Sequence, residues 1–307
     1  MPFTYETQRY YSFNEYISLT QNDHTDLLER KLEYAHPVDS AIIKLMDSAS
    51  MKKAVEKVVE TLVSSQYGLM LSTGITVAHA SYPELYQILV QCCTVLGIAI
   101  PHTVITNELS GINAMTVGTD DFSFIALSNM LPMYLKEDEQ KFVIAHECGH
   151  IALGHVVYHS IGSFIGMIGS LIPLVGPVLA NALTLPLNAW SRCSEITADR
   201  AGLLCCRDVK TAQRALLRLI GGFTDVNNVD IDTYIDQSSN SLDNHFTGLF
   251  QEFFHKHPLI PKRLKALEYF SNSAMYYRLT NEPIPEHKQL YSDEQLNSLV
   301  NELLKVM

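Results

Sequence analysis

The stretch FVIAHECGH, residues 142–150, decides the fold of this chain. It contains the pattern His-Glu-x-x-His, and the acidic first turn before it predicts a helix over 137–159. Two helical residues four positions apart share one face, so the imidazoles of His146 and His150 can bind one metal ion such as zinc. Glu147 lies beside that face and is the predicted general base toward a water molecule bound by the metal. The alternative is a helix whose surface histidines coincide.

A catalytic zinc site needs a third protein ligand and one open position. A histidine six residues after His150, as metzincins use, is excluded because that residue is Val156. The remaining common solution is a glutamate from a later helix, and Glu195 lies in such a pattern, WSRCSEITADRAG at 190–202. Asp199 shares the face of Glu195 and is the predicted partner of the outer N–H of a ligand imidazole.

Glu195 and Asp199 have an alternative interpretation as a solvated helix face, with Arg192 and Arg200 nearby. The residues around them argue against it, because small side chains allow close packing against the His-Glu-x-x-His helix. These small residues are Ala198, Ala201 and Gly202.

The composition is that of a folded chain with a large core. Apolar residues are 47% and charged residues 18% of the 307 residues. The net charge is −11, and the absence of any Lys/Arg run excludes a typical nucleic-acid binder. The cysteines form no C-x-x-C motif or disulfide framework, so we expect a reducing, cytoplasmic compartment. They are Cys92, Cys93, Cys148, Cys193, Cys205 and Cys206.

The pattern of apolar residues predicts an α+β fold that is mostly helical, with a small sheet. A helix is predicted over 82–96, and the sequence after residue 190 is helical almost to its end. Strands are predicted at 69–79, 102–106, 113–117 and 123–127.

One segment is unusually apolar. The 44 residues 148–191 contain no Asp, Glu, Lys or Arg. A membrane-spanning helix needs about 20 apolar residues, but prolines interrupt this run and favour two shorter helices, 161–172 and about 178–190. We expect an apolar helical hairpin over about 161–190, which is packed in the core, exposed as a flap, or dipped into a membrane. The prolines are Pro173, Pro177 and Pro186.

At the His-Glu-x-x-His pattern and around Glu195, the chain resembles the HtpX and CAAX-prenyl-endopeptidase family of zinc metallopeptidases. This is metallopeptidase family forty-eight, a gluzincin group. The resemblance covers about residues 75–270, and His36-Pro37-x-Asp39 is similar to a bacterial soluble-type branch. The matching residues are His146-Glu147-Cys148-Gly149-His150 with His155, Ser194-Glu195-x-x-Ala198-Asp199, Asn113-Ala114, and His257-Pro258 followed by Arg263.

The resemblance implies a zincin-like fold and a zinc endopeptidase whose substrates are unfolded, misfolded or membrane-associated proteins. One zinc ion per chain would be bound by His146, His150 and Glu195, with Glu147 as base and later as proton donor to the leaving amine. The N-terminal transmembrane pair of HtpX proteins and the multi-span cage of prenyl endopeptidases are not found in this sequence. CAAX processing is therefore not expected.

The resemblance also implies a substrate-binding edge strand over 113–117, with Asn113, Ala114 and Met115 as candidates for pairing with an extended substrate. An ordinary edge strand is the alternative. Beside the metal, a second donor usually stabilises the oxyanion, and His257 is predicted for that role. The alternatives are a capped loop histidine at 257, or one of the other donors His245, His255 and Arg263.

The organisation that follows is one peptidase domain with flanking segments. We expect a Tyr-rich arm at 1–36, a helical segment at 37–74, the metallopeptidase domain at 75–270 and a helical tail at 271–307. The expected partner is a polypeptide substrate, and a membrane is a further candidate partner through 161–190. We expect a cytoplasmic protein, peripheral to or dipping into the inner face of the membrane.

Two other functions compete with an active peptidase. One is a non-catalytic zinc-binding protein with a regulatory or interaction role. The other is a latent peptidase whose cleft is covered by the N-terminal arm or by the apolar hairpin. Retention of Glu147 favours activity, because a structural zinc site has no use for a base beside an open position.

Overall fold

The computed structural model describes residues 33–37, 49–119, 122–160, 176–222, 225–243 and 259–304. These residues are mostly helical and contain one four-stranded sheet. The strands are β1 (Ile75–Thr76), β2 (His102–Thr106), β3 (Ala114–Gly118) and β4 (Ser123–Ser128). The helices are α1 (Ala49–Thr73), α2 (Pro83–Leu96), α3 (Leu131–Tyr134), α4 (Glu137–Ala152), α5 (Gly176–Cys206), α6 (Val209–Gly221), α7 (Ile231–Asp243), α8 (Ile260–Ser271), α9 (Ala274–Thr280) and α10 (Asp293–Leu304). The mostly helical α+β fold class is therefore confirmed.

The sheet has the strand order β1-β2-β4-β3, so β3 lies at an edge among the described strands. Strand β2 is parallel to β4, whereas β1 and β3 are antiparallel to their neighbours. The strands predicted at 102–106, 113–117 and 123–127 are all present, within one residue at each end.

Strand alternation directs apolar side chains to both faces of the sheet. On one face, Ile105, Ile125 and Leu127 pack in the main core with α2 and α4. On the other face, Val104 and Phe124 join a second cluster that includes side chains of α1 and α5. The sheet is thus covered on both sides, and its main-core face lies against α4.

Helix α4 begins where its acidic residues suit the helix dipole. The Lys136 N–H donates to the carboxylate of Glu139 at 2.9 Å, which satisfies an otherwise unpaired donor at the helix start. The helix ends at Ala152 rather than at residue 159, because Gly154 takes a positive φ of 69° and turns the chain. Residues 156–160 are helical again.

Helices α4 and α5 approach each other closely at small residues, as the sequence predicts. A Cβ added to Gly149 would lie 2.7 Å from the Cβ of Ala201 and 3.3 Å from the Cα of Ala198. A Cβ added to Gly202 would lie 2.7 Å from the ring of Phe142. This close packing brings the His-Glu-x-x-His face of α4 against the Glu195 face of α5.

The predicted strand at 69–79 is wrong for its first half, because α1 continues to Thr73 and β1 contains only two residues. Val63 and Met70 are seven residues apart and both are buried in the second cluster. This spacing is that of one helix face, so the apolar residues of this segment serve a helix rather than a strand.

The helix predicted at about 178–190 is present as part of a longer one, because α5 runs from Gly176 through Pro186 to Cys206. An interior proline costs about 3 kcal/mol, and burial of Leu187 and Trp190 in the second cluster opposes that cost. The first helix of the predicted hairpin, 161–172, lies outside the described residues. No helix in the described ranges is both long and apolar enough to cross a bilayer.

The end of the predicted N-terminal arm packs on α5. Tyr34 is buried, and its carbonyl accepts a hydrogen bond from Arg200 at 3.0 Å. The N–H of His36 donates to the hydroxyl of Thr197 at 3.0 Å. Residues 1–32 of the arm lie outside the described residues.

Candidate metal centre

Three potential ligand side chains converge between α4 and α5. The Nε2 atoms of His146 and His150 are 3.2 Å apart. The Glu195 carboxylate oxygens lie 3.6 Å from Nε2 of His146 and 3.4 Å from Nε2 of His150. All three side chains are buried, and their ligand atoms form one group that could hold a metal ion.

The spacing and chemistry of these donors fit a divalent ion. Tetrahedral zinc with bonds of about 2.0–2.1 Å separates neighbouring ligand atoms by about 3.3 Å. Asp199 as a carboxylate only accepts, so Nδ1 of His146 carries the proton and a neutral ring directs its Nε2 lone pair inward. That lone pair points at another imidazole nitrogen and a carboxylate, and a cation between them relieves the repulsion.

The charge balance of the centre also favours a cation. The carboxylates of Glu147, Glu195 and Asp199 are buried beside one guanidinium, that of Arg263. Three acidic side chains around one guanidinium concentrate negative charge in a buried site, and a divalent metal ion would stabilise that arrangement.

The outer nitrogen of His146 is held by a carboxylate that is itself held by arginine. The distance from Nδ1 of His146 to Oδ1 of Asp199 is 3.0 Å. Arg263 donates from Nε and Nη2 to both oxygens of Asp199, at 2.8 and 2.6 Å. Its Nη1 lies 3.2 Å from a Glu195 oxygen. One guanidinium from α8 therefore positions two acidic side chains of α5.

The outer nitrogen of His150 faces a second imidazole. Nδ1 of His150 lies 3.0 Å from Nδ1 of His155, which follows the Gly154 turn. His155 lies five residues after His150, off the face shared by His146 and His150, and its ring is within hydrogen-bonding distance of His150. His150, His155 and His159 form a second group whose nitrogens lie within 4.8 Å of one another. The hydroxyl of Ser194 lies 2.9 Å from Nε2 of His159.

The pKa values of these groups shift in opposite directions. Burial lowers the pKa of His146, but the hydrogen bond to Asp199 and the nearby carboxylates outweigh it and leave that pKa raised. Burial, with the neighbouring imidazoles, leaves the pKa of His150 lowered. Burial raises the pKa of Asp199, but the charge of Arg263 outweighs it, so that pKa is lowered. Arg263 has a raised pKa, because the two carboxylates overcome its burial. The His150 imidazole is thus favoured as a neutral ligand.

Glu147 lies outside this ligand group and contacts the edge strand. Its Oε2 accepts a hydrogen bond of 2.6 Å from the hydroxyl of Thr116 on β3. The same strand contains two of the predicted substrate-binding residues, Ala114 and Met115. The third, Asn113, lies just before it and accepts the N–H of Ala114 at 2.9 Å through its side chain.

Of the residues predicted as a second donor to the oxyanion, the structure describes only Arg263. His257, predicted to stabilise the oxyanion, lies outside the described residues, as do His245 and His255. Arg263 was the remaining alternative, but all three of its guanidinium nitrogens face Asp199 or Glu195. Sequence reasoning also missed Thr116. The only signal for it was its place in the predicted strand 113–117.

More than half of the chain is similar to a known peptidase family. The model of Peptidase family M48 matches residues 80–271. The chain belongs to peptidase family M48. It is therefore a metalloprotease, which acts on polypeptides and uses a metal cofactor. The resemblance found in the sequence is confirmed, whereas the soluble-type branch stays a prediction.

Curated relatives agree with the family. The chain is 25% identical over 257 residues to the plastoglobule-localized metallopeptidase 48 of Arabidopsis thaliana, covering 80% of this chain and 74% of that protein. It is 27% identical over 236 residues to protease HtpX homolog 1 of Streptomyces coelicolor, covering 66% and 76%. The protease HtpX homolog of Helicobacter acinonychis is 29% identical over 180 residues, covering 50% and 56%. No solved structure matches the chain significantly.

Proposed function

We propose that this M48 metalloprotease is a zinc endopeptidase that hydrolyses unfolded, misfolded or membrane-associated proteins, with Glu147 as the general base. The observation that carries the proposal is a set of three inward-facing ligand side chains, two histidines and a glutamate, with a second glutamate, Glu147, left out of it. A structural zinc site closes its coordination with protein ligands, whereas a catalytic one keeps a position open and needs a base beside it.

His146, His150 and Glu195 would hold one zinc ion per chain. When bound, zinc polarises water and the substrate carbonyl and stabilises negative charge on its oxygen. Glu147 takes the proton of the attacking water and delivers it to the leaving amine. Asp199 keeps His146 in the tautomer that directs Nε2 inward, and Arg263 keeps Asp199 and Glu195 ionised and in place.

Substrate recognition is proposed at the edge of β3 that no strand of the described residues covers. An extended polypeptide that pairs there through its backbone would be bound with little dependence on sequence, which suits unfolded chains. Ala114 and its neighbours Asn113 and Met115 are the proposed substrate-binding residues. Because bonded and unbonded positions alternate along the strand, the Ala114 backbone is directed away from β4, whereas Met115 anchors the strand by packing its side chain against the second cluster.

Membrane-associated substrates belong to the proposed class because residues 148–191 contain no Asp, Glu, Lys or Arg. We propose a cytoplasmic protein that is peripheral to a membrane, in line with the plastoglobule location in the name of the Arabidopsis relative. Carbonate extraction of membranes from expressing cells tests this part, since full recovery in the supernatant would contradict insertion of the apolar segment.

The test of the function compares cleavage of casein by the zinc-loaded wild type, Glu147→Gln and Glu137→Gln. Glu147→Gln keeps the shape and the ligand set but removes the base, so we expect a rate loss of about 10²- to 10⁴-fold at unchanged zinc content. Glu137 is exposed in the first turn of the same helix, and its substitution should leave the rate unchanged.

Three results would contradict the proposal. Equal cleavage by the wild type and Glu147→Gln would mean that Glu147 is not the base. Inactivity of a zinc-loaded wild type would favour the non-catalytic zinc protein. Activity that emerges only after residues 1–32 are deleted would favour the latent enzyme.

A further inference from the structure

Thr116 connects the edge strand to the catalytic helix. We propose that Thr116 is a positioning residue for Glu147, and that it links the seating of a substrate strand on β3 to the orientation of the base. This inference rests on the proposed peptidase function, because it concerns how the base of that reaction is held.

The side chain of Thr116 makes a short hydrogen bond to the base. Its Oγ1 lies 2.6 Å from Oε2 of Glu147 and 3.3 Å from the Glu147 carbonyl oxygen. An ionised carboxylate only accepts, so the hydroxyl donates, and 2.6 Å is typical of a hydrogen bond to a charged oxygen. One carboxylate oxygen of Glu147 is thereby fixed, and the other is left for the proton of the attacking water.

The backbone of Thr116 points the other way, toward the open edge. Ser128 N–H donates to the Asn113 carbonyl at 2.9 Å, and Thr119 N–H donates to the Phe122 carbonyl at 2.6 Å. In an antiparallel pair, residues that exchange hydrogen bonds alternate with residues that do not. Since 113 and 119 are bonded positions, residue 116 is not, so its N–H and C=O are directed away from β4.

Thr116 therefore contacts the proposed base with its side chain, while its backbone faces the position proposed for a substrate strand. A substrate strand added to β3 would pair with the Thr116 backbone, while the Thr116 side chain holds Glu147. The hydroxyl lies on a β-branched side chain, which has few accessible rotamers. Fixing the backbone consequently fixes the hydroxyl, and with it the carboxylate. The expected consequence is a contribution to kcat rather than to KM.

The test uses Thr116→Val, which keeps the β-branched shape but removes the donor, and Thr116→Ser, which keeps the donor. We expect Thr116→Val to lower kcat about 10- to 100-fold, with KM and zinc content unchanged. Thr116→Ser should restore most of the wild-type kcat. The matched control is Thr76→Val on β1, at the opposite edge of the same sheet, which should leave kcat unchanged.

The outcomes separate this inference from the proposed function. Wild-type kcat in Thr116→Val, alongside an inactive Glu147→Gln, would overturn the inference and leave the function intact. A loss shared by Thr116→Ser, or accompanied by a lower melting temperature or loss of zinc, would also overturn it, because it would indicate a merely structural role. A wild type that cleaves no polypeptide would overturn both.

Discussion

The two ligand histidines of the proposed metal site are held in different ways. The outer nitrogen of His146 bonds to a carboxylate, Asp199, which Arg263 binds with two further hydrogen bonds. The outer nitrogen of His150 faces the imidazole of His155, five residues later in the chain. One partner comes from a distant helix and carries charge, while the other is local.

This difference shows how strongly the partner of each imidazole fixes its tautomer and its orientation. A carboxylate fixes the tautomer of its histidine outright and increases the electron density on the nitrogen that binds the metal. An imidazole can donate or accept, so it orients the ring without adding a full charge. The partners of His146 should therefore contribute more than the partner of His150 to the free energy of unfolding and to metal affinity. Three substitutions test that ranking.

The largest effect is expected for Arg263→Met, measured by urea unfolding of the metal-free protein. Removing the guanidinium leaves Asp199 and Glu195 buried without their cation, and the free energy of unfolding should fall by about 3–5 kcal/mol. Bound zinc should reduce this loss, because the divalent ion compensates the same carboxylates.

The matched control for that variant is Arg278→Met. Arg278 also bridges two carboxylates, Glu33 and Asp293, but its side chain is 47% exposed. An exposed pair contributes about 1 kcal/mol or less. Equal losses in the two variants would show that burial of the Arg263 network does not matter, which would contradict the comparison.

A smaller effect is expected for Asp199→Asn, which keeps the shape but removes the charge from the His146 partner. The zinc dissociation constant should rise about 10- to 100-fold, the usual consequence of changing the partner of a ligand imidazole. Competition with a chromophoric chelator measures it. Asp232→Asn, in an exposed pair with Lys210, is the control that should not change zinc affinity.

The smallest effect is expected for His155→Leu, which removes an imidazole, rather than a carboxylate, from the outer nitrogen of a ligand histidine. Its zinc affinity should fall by less than about tenfold, with thermal unfolding measured alongside because His155 is buried. His79→Leu, at an exposed histidine, is the control. A fall larger than that of Asp199→Asn would reverse the ranking of the two sides.

Much of the centre could be predicted because it is built from local patterns. The spacing of His146 and His150 needs only a helix, and residues four apart on a helix share a face in any fold. The packing of Gly149 against Ala198 and Ala201 was predictable as well, since runs of small residues permit close helix contact. The strands at 102–106, 113–117 and 123–127 were predictable from their β-branched and apolar residues.

Errors arose where burial overrode a local signal. The apolar residues around Met70 suit a strand or a helix, and packing against the sheet decided for the helix. At Pro186 the local signal disfavours a helix, yet α5 continues through it, because the neighbouring residues Leu187 and Trp190 are anchored in the core.

The sequence by itself determined the helix proposed to bind the metal, the later acidic residues Glu195 and Asp199, and hence the class of chemistry. Only the tertiary structure decided that Arg263 binds those acidic residues instead of donating to the oxyanion of the reaction. It also decided that Thr116 contacts Glu147. The physical reason is range. Helix periodicity is set within a few residues, whereas these contacts join positions 31 and 64 or more residues apart, which the sheet and the helix packing bring together.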